Sequence, residues 1–410
     1  VLGGGAQGSA CAFDLARSER VEEVAVADLD VSTPALFLSP YVGRGLRFLE
    51  VDASDASALE AAMAGFDVVA CALPYHFNLP ACRAAVAAGA HFCDLGGNTE
   101  IVNRQLELDR EARTAGVSVV PDCGLAPGMV NILARGGIDA LEETRDVRIY
   151  VGGLPRHPKP PLNYRVAYSL EGVLDYYTTP VLKLEDGRVV EREALTEVET
   201  VDFGGGVGAL EAFLTAGGIS RMPYAYEGLI SSMTYKTLRY PGHAHIMRAI
   251  RDLGLLSDDA LDVDGCRVTP RDVFIRAVGP RLADPDAEDL VVLRVEVSGR
   301  DAEGARTVRF DLLDRMDKEH GISAMMRTTG YSLAAVARLL GADATADAAT
   351  VVVRDASTTI RVAATWELLF DPGTVCFFVG GSLLWALRVR SDAAGPSFRT
   401  WMRGTLSLLL

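Results

Sequence analysis

Two short stretches of this sequence combine residue types that can do chemistry. The opening GGGAQG matches the spacing G-x-G-x-x-G at Gly3, Gly5 and Gly8. Glycines at this spacing let a backbone approach a pyrophosphate at the N-terminus of a helix. Farther along, KTLRYPGH at 236–243 places two cations, a phenol and an imidazole close together. Such a set offers cations for a carboxylate and a group of near-neutral pKa for proton transfer.

The glycine stretch is a weak signal alone and gains weight from an acid that follows it. Asp28 lies 20 residues after Gly8, directly after the apolar VAVA. A carboxylate at this place accepts hydrogen bonds from a ribose diol and repels a 2′-phosphate. Neither Leu29 nor Asp30 supplies a cation that would neutralise such a phosphate. The sequence therefore predicts a dinucleotide site that favours NAD over NADP.

Other polar and small residues follow the later predicted strands of this region. Asp52 could hydrogen-bond the adenine amine, or it could be an acid at a helix N-terminus. Leu73 and Pro74, which end the run ACALP, are expected to border the nicotinamide. His76 lies just beyond them and could relay a proton, although a structural hydrogen bond is the preferred interpretation. The predicted cofactor-binding residues are Gly3, Gly5, Ala6, Gln7, Gly8, Asp28, Asp52, Leu73, Pro74, Gly96 and Gly97.

The predicted catalytic residues are Asp94, Lys236 and His243. Asp94 ends the run HFCD, and carboxyl ends of parallel strands line the ligand crevice of such a sheet. His243 or Asp94 would exchange protons, while Lys236 would hold a carboxylate or lower an amine pKa. A solvated basic turn is the alternative interpretation of KTLRYPGH. The predicted substrate-binding residues are Cys123, Tyr164, Arg239 and Tyr240, with Cys123 lining the site rather than acting as a nucleophile.

The predicted helices and strands that position these residues follow two different patterns along the chain. Up to about residue 140, short apolar strands near 24–27, 46–51, 67–73, 91–95 and 117–121 alternate with alanine-rich helices. This pattern predicts a parallel sheet covered on both faces. Afterwards come longer strands with hairpin turns at Asp186-Gly187 and near Gly304, which indicate an α+β domain. The predicted units are 1–140, 141–320, a helix at 321–342 that returns to the first domain, and a divergent tail at 343–410.

Composition narrows the classes of protein that the chain can belong to. Its 410 residues include 40 basic and 55 acidic ones, so the net charge is −15. This charge argues against nucleic acid or an anionic membrane as the main partner. Seven cysteines form no C-x-x-C pair and no cluster with zinc spacing, which predicts reduced thiols, no metal site and a cytoplasmic location. The uncharged run at 372–387 is too short for a membrane span and predicts a buried core segment.

Several motifs together identify a family that the chain resembles. GGGAQG, the run from ALPYHFN to HFCDLGGN, PDCGLAPGM, EAFLTAGGIS and KTLRYPGH occur in the order found in the saccharopine dehydrogenase-like family. Within this family the chain looks most like the lysine 6-dehydrogenases. The resemblance covers residues 1 to 342 and implies a Rossmann-type doubly wound sheet with an inserted α+β substrate domain. It also implies dimerisation through the second domain and NAD-linked chemistry at an amine of a lysine derivative.

The expected reaction is oxidative deamination of the side-chain amine of L-lysine to a semialdehyde that cyclises. The rival within the family is a saccharopine or carboxynorspermidine dehydrogenase, which acts on a secondary amine. A second cationic cluster in the pocket would favour saccharopine, and Arg165 and Arg221 are candidates for it. Two other classes remain open, a non-catalytic NAD sensor and a methyltransferase with a glycine-rich loop. The short first strand, only Val1 and Leu2, predicts a cofactor held less firmly than in relatives with a longer strand.

Overall fold

The computed structural model describes residues 1–166, 169–204, 206–284 and 287–343, together with the backbone of three strands between 369 and 390. The helices are α1 (Ala6–Ala16), α2 (Ala56–Met63), α3 (Asn78–Ala87), α4 (Thr99–Leu106), α5 (Asp109–Ala115), α6 (Met129–Asp139), α7 (Leu170–Thr178), α8 (Met222–Ala225), α9 (His243–Asp252), α10 (Pro270–Leu282), α11 (Ala324–Met326) and α12 (Ser332–Asp343). Two 3₁₀ turns cover Leu36–Tyr41 and Tyr75–Phe77, and a π turn covers Arg327–Tyr331.

The strands form a small parallel region, one large sheet and a separate hairpin of β12 with β13. In chain order they are β1 (Val24–Asp28), β2 (Leu46–Glu50), β3 (Val68–Cys71), β4 (His91–Asp94), β5 (Val119–Val120), β6 (Glu143–Pro155), β7 (Val181–Glu185), β8 (Arg188–Arg192), β9 (Glu199–Asp202), β10 (Ala209–Leu214), β11 (Ser232–Arg239), β12 (Leu261–Val263), β13 (Cys266–Val268), β14 (Asp289–Asp301), β15 (Gly304–Arg315), β16 (Leu369–Asp371), β17 (Thr374–Val379) and β18 (Ser382–Arg390).

The first domain is a parallel sheet with the order β2, β1, residue 2, β3, β4, β5. β1 pairs with β2, and β3, β4 and β5 pair in series. Leu2 bridges Ala27 on one side and Cys71 on the other, so the short first strand joins the two halves. This is the 3-2-1-4-5-6 order of the Rossmann fold, whose ligand crevice lies at the carboxyl ends of the strands. The predicted Rossmann-type fold is confirmed.

The second domain is built on a long, mostly antiparallel sheet with β6 near its centre. Its order is β16-β17-β18-β15-β14-β6-β11-β10-β9, and the hairpin of β7 and β8 pairs with β11. β6 and β11 run parallel, whereas β14 pairs with β6 and with β15 in antiparallel register. Alternate residues Val147, Ile149 and Val151 are buried on one face, against residues of α6 and the 219–233 region. The predicted second α+β domain is therefore confirmed as part of the fold class.

The segment after β15 packs on the first helix of the chain. Tyr331, Leu333 and other residues of the π turn and α12 share one buried cluster with residues of α1. Arg338 forms an ion pair of 2.6 Å with Asp14 on α1. A Cβ built on Gly330 would lie 2.5 Å from the carbonyl oxygen of Gln7, so the contact between the two segments requires a glycine. The C-terminal helices therefore support the helix that follows the glycine loop.

Among the described residues, no helix has the length and hydropathy that crossing a bilayer requires. The burial expected for the uncharged run 372–387 concerns side chains that lie outside the described residues. The cysteines with described side chains are unpaired thiols, of which Cys266 alone is exposed.

Candidate active site

The glycine loop has the geometry of a phosphate-binding turn. Gly3 adopts φ +92°, a conformation that favours glycine, and α1 begins three residues later at Ala6. A Cβ built on Gly8 would overlap the carbonyl oxygen of Gly3, so helix and strand pack closely only without a side chain there. A Cβ on Gly5 would meet nothing within 4 Å, which leaves open space over the helix N-terminus. The buried Oε1 of Gln7 has no hydrogen-bond partner among the described residues. These residues fit a dinucleotide pyrophosphate.

Asp28 connects the end of β1 to this loop. Its Oδ2 accepts a hydrogen bond of 2.5 Å from the Gly4 amide, and its Oδ1 accepts one of 3.1 Å from the Asp30 amide. The carboxylate is thus fixed beside the glycine turn, where the fold places the ribose of a dinucleotide. Asp52 instead accepts hydrogen bonds from the amide and hydroxyl of Ser54, in the exposed turn before α2. These two hydrogen bonds explain the position of the Asp52 carboxylate without any ligand. Its contact with adenine stays a prediction.

Asp94 lies at the expected edge but is occupied by structural hydrogen bonds. Its side chain is fully buried, and it accepts hydrogen bonds from the amides of Gly96 and Asp122 and from Gln105 Nε2. Burial raises the pKa of Asp94, while these three donors counteract the rise. The geometry favours a role in shaping the Gly96–Gly97 loop over the predicted proton exchange. Both glycines adopt positive φ, +72° and +112°, so the loop needs residues without side chains.

A cleft of about 420 Å³ opens between this edge of the parallel sheet and the second domain. From the first domain it is lined by Tyr75, Gly97 and the start of α4. From the second domain it is lined by the end of α7 and by the loop 215–220, which has the sequence TAGGIS. Leu73 and Pro74 immediately precede Tyr75. A ligand in the cleft would thus face the place where the fold presents a nicotinamide.

The cleft is acidic. Its lining carries the carboxylates of Glu100, Asp175 and Glu191, and among the described lining residues there is no Lys, Arg or His. Asp175 is ion-paired with the buried Arg271. Burial, with the nearby carboxylate of Asp175, raises the pKa of the Tyr75 phenol, which therefore stays protonated at neutral pH. The arrangement suits a ligand that carries positive charge.

The KTLRYPGH stretch does not act as one cluster, which corrects the expectation that its side chains meet in the site. Residues 236–239 belong to β11, where successive side chains point to opposite faces of the sheet. Lys236 Nζ lies on the far face, bound to Glu199 Oε1 and to the carbonyl oxygen of Glu197, both at 2.7 Å. Tyr240 donates a hydrogen bond of 2.9 Å to the carbonyl oxygen of Pro155. None of the four predicted residues of this stretch lines the cleft.

Arg239 and His243 lie on the near face, inside an aromatic cluster behind the cleft. The guanidinium of Arg239 stacks 4.6 Å from the ring centre of Tyr164. His243 Nε2 is 3.0 Å from the Tyr177 hydroxyl, and its Nδ1 is 3.2 Å from the carbonyl oxygen of Leu162. Burial and the charge of Arg239 lower the pKa of His243 to about 3, so the imidazole is neutral at physiological pH. The cluster reaches the cleft through a hydrogen bond of 2.7 Å between Thr237 and the cleft-lining Thr215.

The remaining candidates fall at separate places. Cys123 is buried, and burial raises the pKa of its thiol well above the ordinary range, so it is not a thiolate nucleophile. His76 is exposed and packs on Phe77. Arg165 donates hydrogen bonds to the carbonyl oxygens of Asp284 and Ala287, away from the cleft. Arg221 follows the cleft loop and binds Asn103 at the rim.

Sequence reasoning missed four carboxyl groups that the structure brings to this region, and one of them, Glu100, lies at the start of α4, two residues after the quoted run HFCDLGGN. Asp175 and Glu191 line the cleft from segments far from either motif, and no sequence signal marks them. The position of Asp122 could have been predicted, because it follows β5 at the same edge as Cys123, in the quoted motif PDCGLAPGM.

The structure is that of a two-domain protein with a Rossmann-type first domain and a cleft between its domains. Family models match nearly the whole described chain: "Saccharopine dehydrogenase NADP binding domain" over residues 1–120 and "Saccharopine dehydrogenase C-terminal domain" over residues 124–363. The chain belongs to the saccharopine dehydrogenase family.

Individual relatives agree with this assignment. Saccharopine dehydrogenase [NADP(+), L-glutamate-forming] of Saccharomyces cerevisiae is 26% identical over 236 residues, 53% of this chain and 50% of the relative. Alpha-aminoadipic semialdehyde synthase, mitochondrial, of Bos taurus is 29% identical over 237 residues, 54% of this chain and 25% of the relative. The matches thus span about half or less of these relatives. The apo saccharopine dehydrogenase structure from S. cerevisiae superposes with a TM-score of 0.68 at 22% identity, over 84% of this chain and 91% of that one, which shows a common fold.

Proposed function

We propose that the protein is a nicotinamide-dependent oxidoreductase that oxidises the side-chain amine of L-lysine or of a lysine-like diamine acid. The observation that carries this proposal is the acidic cleft beside the nicotinamide edge, lined by Glu100, Asp175 and Glu191. Carboxylates attract a substrate with two ammonium groups and repel one with several carboxylates. Family membership and the names of the relatives support amino-acid amine chemistry in general.

The charge of the cleft separates the candidate substrates. Saccharopine adds two carboxylates to the lysine skeleton and would meet Glu100 and Glu191 in the lining, besides Asp175, which is already paired with Arg271. Arg165, one of the two cations expected to hold them, binds backbone carbonyls elsewhere. Arg221 at the rim supplies a single cation, which matches the one α-carboxylate of lysine. Carboxynorspermidine is a second candidate, because its amines are also cationic and it carries one carboxylate.

The residues of the chain have three tasks in this reaction. The bound cofactor supplies the acceptor for a hydride from the carbon next to the amine. Arg221 would bind the α-carboxylate, and Glu100 with Glu191 would attract and align the distal ammonium. Tyr75 would donate its phenolic hydrogen bond to the substrate or to the incoming water. Because a lysine ammonium has a pKa of about 10.4 in water, the site must also remove one proton before hydride can leave.

We infer that the preferred cofactor is NAD, although the matched domain and the S. cerevisiae relative are named for NADP. Asp28 is fixed by Gly4 where a 2′-phosphate would lie, and the following Leu29 is exposed and uncharged. Binding of NAD and NADP is measured by titration calorimetry. The variant Asp28→Asn keeps an acceptor for the Gly4 amide and removes the charge, so the preference for NAD should fall about tenfold or more. Asp52→Ala is the control, and a weaker NAD affinity there would support the adenine contact.

The deciding experiment incubates purified protein with either cofactor and a panel of lysine, saccharopine and carboxynorspermidine, and follows reduced nicotinamide. We expect turnover with lysine, or with carboxynorspermidine as the second candidate. Turnover with saccharopine alone contradicts the proposal. Cofactor binding without oxidation of any amine would favour a non-catalytic nucleotide sensor, and binding of S-adenosylmethionine in its place would indicate a methyltransferase.

The acidic lining is tested by the double variant Glu100→Gln with Glu191→Gln. We expect the KM for the amine to rise about tenfold, with a weaker dependence on salt, because two attracting charges are gone. Glu107→Gln is the matched control, since Glu107 is an exposed acid at the other end of α4. An unchanged KM in the double variant would count against an ammonium in this part of the cleft.

A further inference from the structure

A carboxyl group that no motif singled out lies behind the wall of the cleft. Asp122 follows β5 and adopts φ +62°, a left-handed conformation that is uncommon outside glycine. Its Oδ1 is buried and has no hydrogen-bond partner among the described residues. An unpartnered buried carboxyl oxygen costs free energy and needs an explanation, because such groups are nearly always satisfied.

The two neighbours of this carboxyl group are both parts of the cleft. A Cβ built on Gly96 would overlap Asp122 Oδ1, so the oxygen lies directly against the glycine loop, whose next residue Gly97 lines the cleft. On the other side lies the hydroxyl of Ser220, which also lines the cleft. The carboxyl group therefore sits between one wall from each domain.

Burial brings the pKa of the Asp122 carboxyl group close to neutral pH. Burial, with a smaller contribution from the Asp94 carboxylate, raises the pKa of Asp122 to about 7, although the Ser220 hydroxyl acts to lower it. The other titratable group that faces it is the Cys123 thiol, which burial keeps neutral. Asp94 accepts hydrogen bonds from three donors. Asp122 Oδ1, in contrast, accepts none from the described residues. A base that titrates near the working pH is the most effective one for moving a proton.

We propose that Asp122 is the group that accepts the proton from the substrate ammonium, a role that rests on the proposed amine oxidation. One N–H bond of the ammonium breaks and its proton passes to the hydroxyl of the cleft-lining Ser220, which gives its own proton to the Asp122 carboxylate behind it. The nitrogen lone pair is then free to form the C=N bond as the adjacent C–H bond breaks, and a bound nicotinamide would be the acceptor of the hydride. Asp122 returns to the carboxylate by releasing the proton to solvent.

The test is the variant Asp122→Asn, which keeps the size of the side chain and tolerates positive φ. We expect kcat/KM to fall at least a hundredfold, while the KM for the amine changes by no more than a few-fold. In the wild type the pH profile of kcat/KM should fall on the acidic side with a midpoint near 7, and the variant should lose this limb. Unchanged cofactor affinity and unfolding temperature would show that the variant folds.

Ser220→Ala provides a second, milder variant. Removing the hydroxyl takes away the group between the cleft and Asp122 and also one that lowers the pKa of Asp122, so kcat/KM should fall less than in Asp122→Asn and the acidic limb of the remaining activity should move to higher pH. The proposal is overturned if Asp122→Asn keeps the acidic limb, or if it turns over at the wild-type rate.

A direct titration separates this proposal from the proposed function. The carboxyl carbons of aspartate are labelled with carbon-13, and the Asp122 signal is assigned as the one missing from Asp122→Asn. In the presence of cofactor, a bound cationic amine should shift the titration of Asp122 to lower pH. If the wild type oxidises no amine, the proposed function fails. An Asp122 titration that no amine shifts would then overturn the role of Asp122 as well.

Discussion

Arg221 and Asn103 join the two domains at the rim of the cleft, through a hydrogen bond of 2.6 Å from the guanidinium to the amide oxygen. Asn103 lies on α4 of the first domain, and Arg221 directly follows the cleft loop of the second. The bond occupies one nitrogen of a planar group that has several donors, so the guanidinium can bind a carboxylate at the same time. In the proposed function, the substrate carboxylate and the interdomain contact therefore share one side chain.

For Arg221→Ala we expect a rise of about tenfold in the KM for the amino-acid substrate with kcat little changed, because a cation for the α-carboxylate is lost in both the ground state and the transition state. Steady-state kinetics with reduced nicotinamide as the readout measure both constants. Arg267→Ala is the matched control, since Arg267 is an exposed arginine on the separate β12–β13 hairpin. Equal KM values for the two variants would show that Arg221 does not contact the carboxylate.

The glycine loop predicts opposite results for two neighbouring alanine substitutions. Gly8→Ala should lower the stability of the cofactor-free protein by a few kcal/mol, about the cost of overpacking, because the new Cβ overlaps the Gly3 carbonyl. Gly5→Ala should leave that stability nearly unchanged and weaken cofactor binding, because its Cβ enters the open space over the helix N-terminus. Thermal unfolding without cofactor and titration with NAD measure the two effects. A Gly5→Ala variant with full NAD affinity would place the pyrophosphate elsewhere.

His243 should make the protein sensitive to acid. Its folded pKa is about 3 and its unfolded pKa about 6.5, so between these values the unfolded chain binds a proton that the folded chain excludes. The free energy of unfolding therefore falls as pH falls from about 6.5, by up to roughly 1.4 kcal/mol per pH unit from this residue. Urea unfolding at pH 7 and pH 5 should show a smaller difference for His243→Asn than for the wild type. Identical differences in the two proteins would mean that the buried imidazole is protonated before unfolding.

The same variant decides whether His243 exchanges protons with the substrate. Both ring nitrogens are close to buried partners, and the side chain does not line the cleft. We expect His243→Asn to retain turnover within a few-fold at pH 7.5, provided that the protein remains folded. A loss of a hundredfold with intact cofactor binding would restore the role that the sequence suggested.

Lys236 should affect stability more than catalysis. Its ammonium group pairs with Glu199 on the face of the sheet opposite the aromatic cluster. Lys236→Met should keep kcat and KM within about twofold and cost about 1 kcal/mol or less, as expected for a partly exposed ion pair. Kinetics and thermal unfolding of the same preparation provide both values. A tenfold loss of kcat would require a path from this face to the cleft.

The different outcomes for these residues show which parts of the site are encoded locally. Gly3, Gly8 and Asp28 could be predicted because a turn, a close packing contact and a strand end each depend on residues near one another in the chain. The side chains of KTLRYPGH were expected to form one cluster, but its first four residues are the end of the strand β11. With a period of two, Lys236 and Arg239 must point to opposite faces of the sheet.

The charge of the cleft depends on packing that no local pattern reveals. Glu191 lies on β8 and Asp175 on α7, and both reach the cleft only because the hairpin and the helix pack beside the 215–220 loop. The acidic lining of the cleft is thus a property of tertiary structure. Asp122 is an intermediate case. Its position after a strand could be predicted from the sequence, but the absence of a hydrogen-bond partner for its Oδ1 among the described residues could not.

The contact between Gly330 and the first turn of α1 has a consequence for the order in which the chain is made. The first helix shares its buried cluster with residues 322–340, so it is only partly covered until the segment about 200 residues beyond β5 has been synthesised. At translation rates of roughly 5 to 20 residues per second, that delay is on the order of 10 to 40 seconds. During this time an apolar face of the N-terminal helix is exposed on the ribosome. A nascent chain stopped before residue 320 should therefore engage holdase chaperones, and one extended past residue 343 and clear of the exit tunnel should release them.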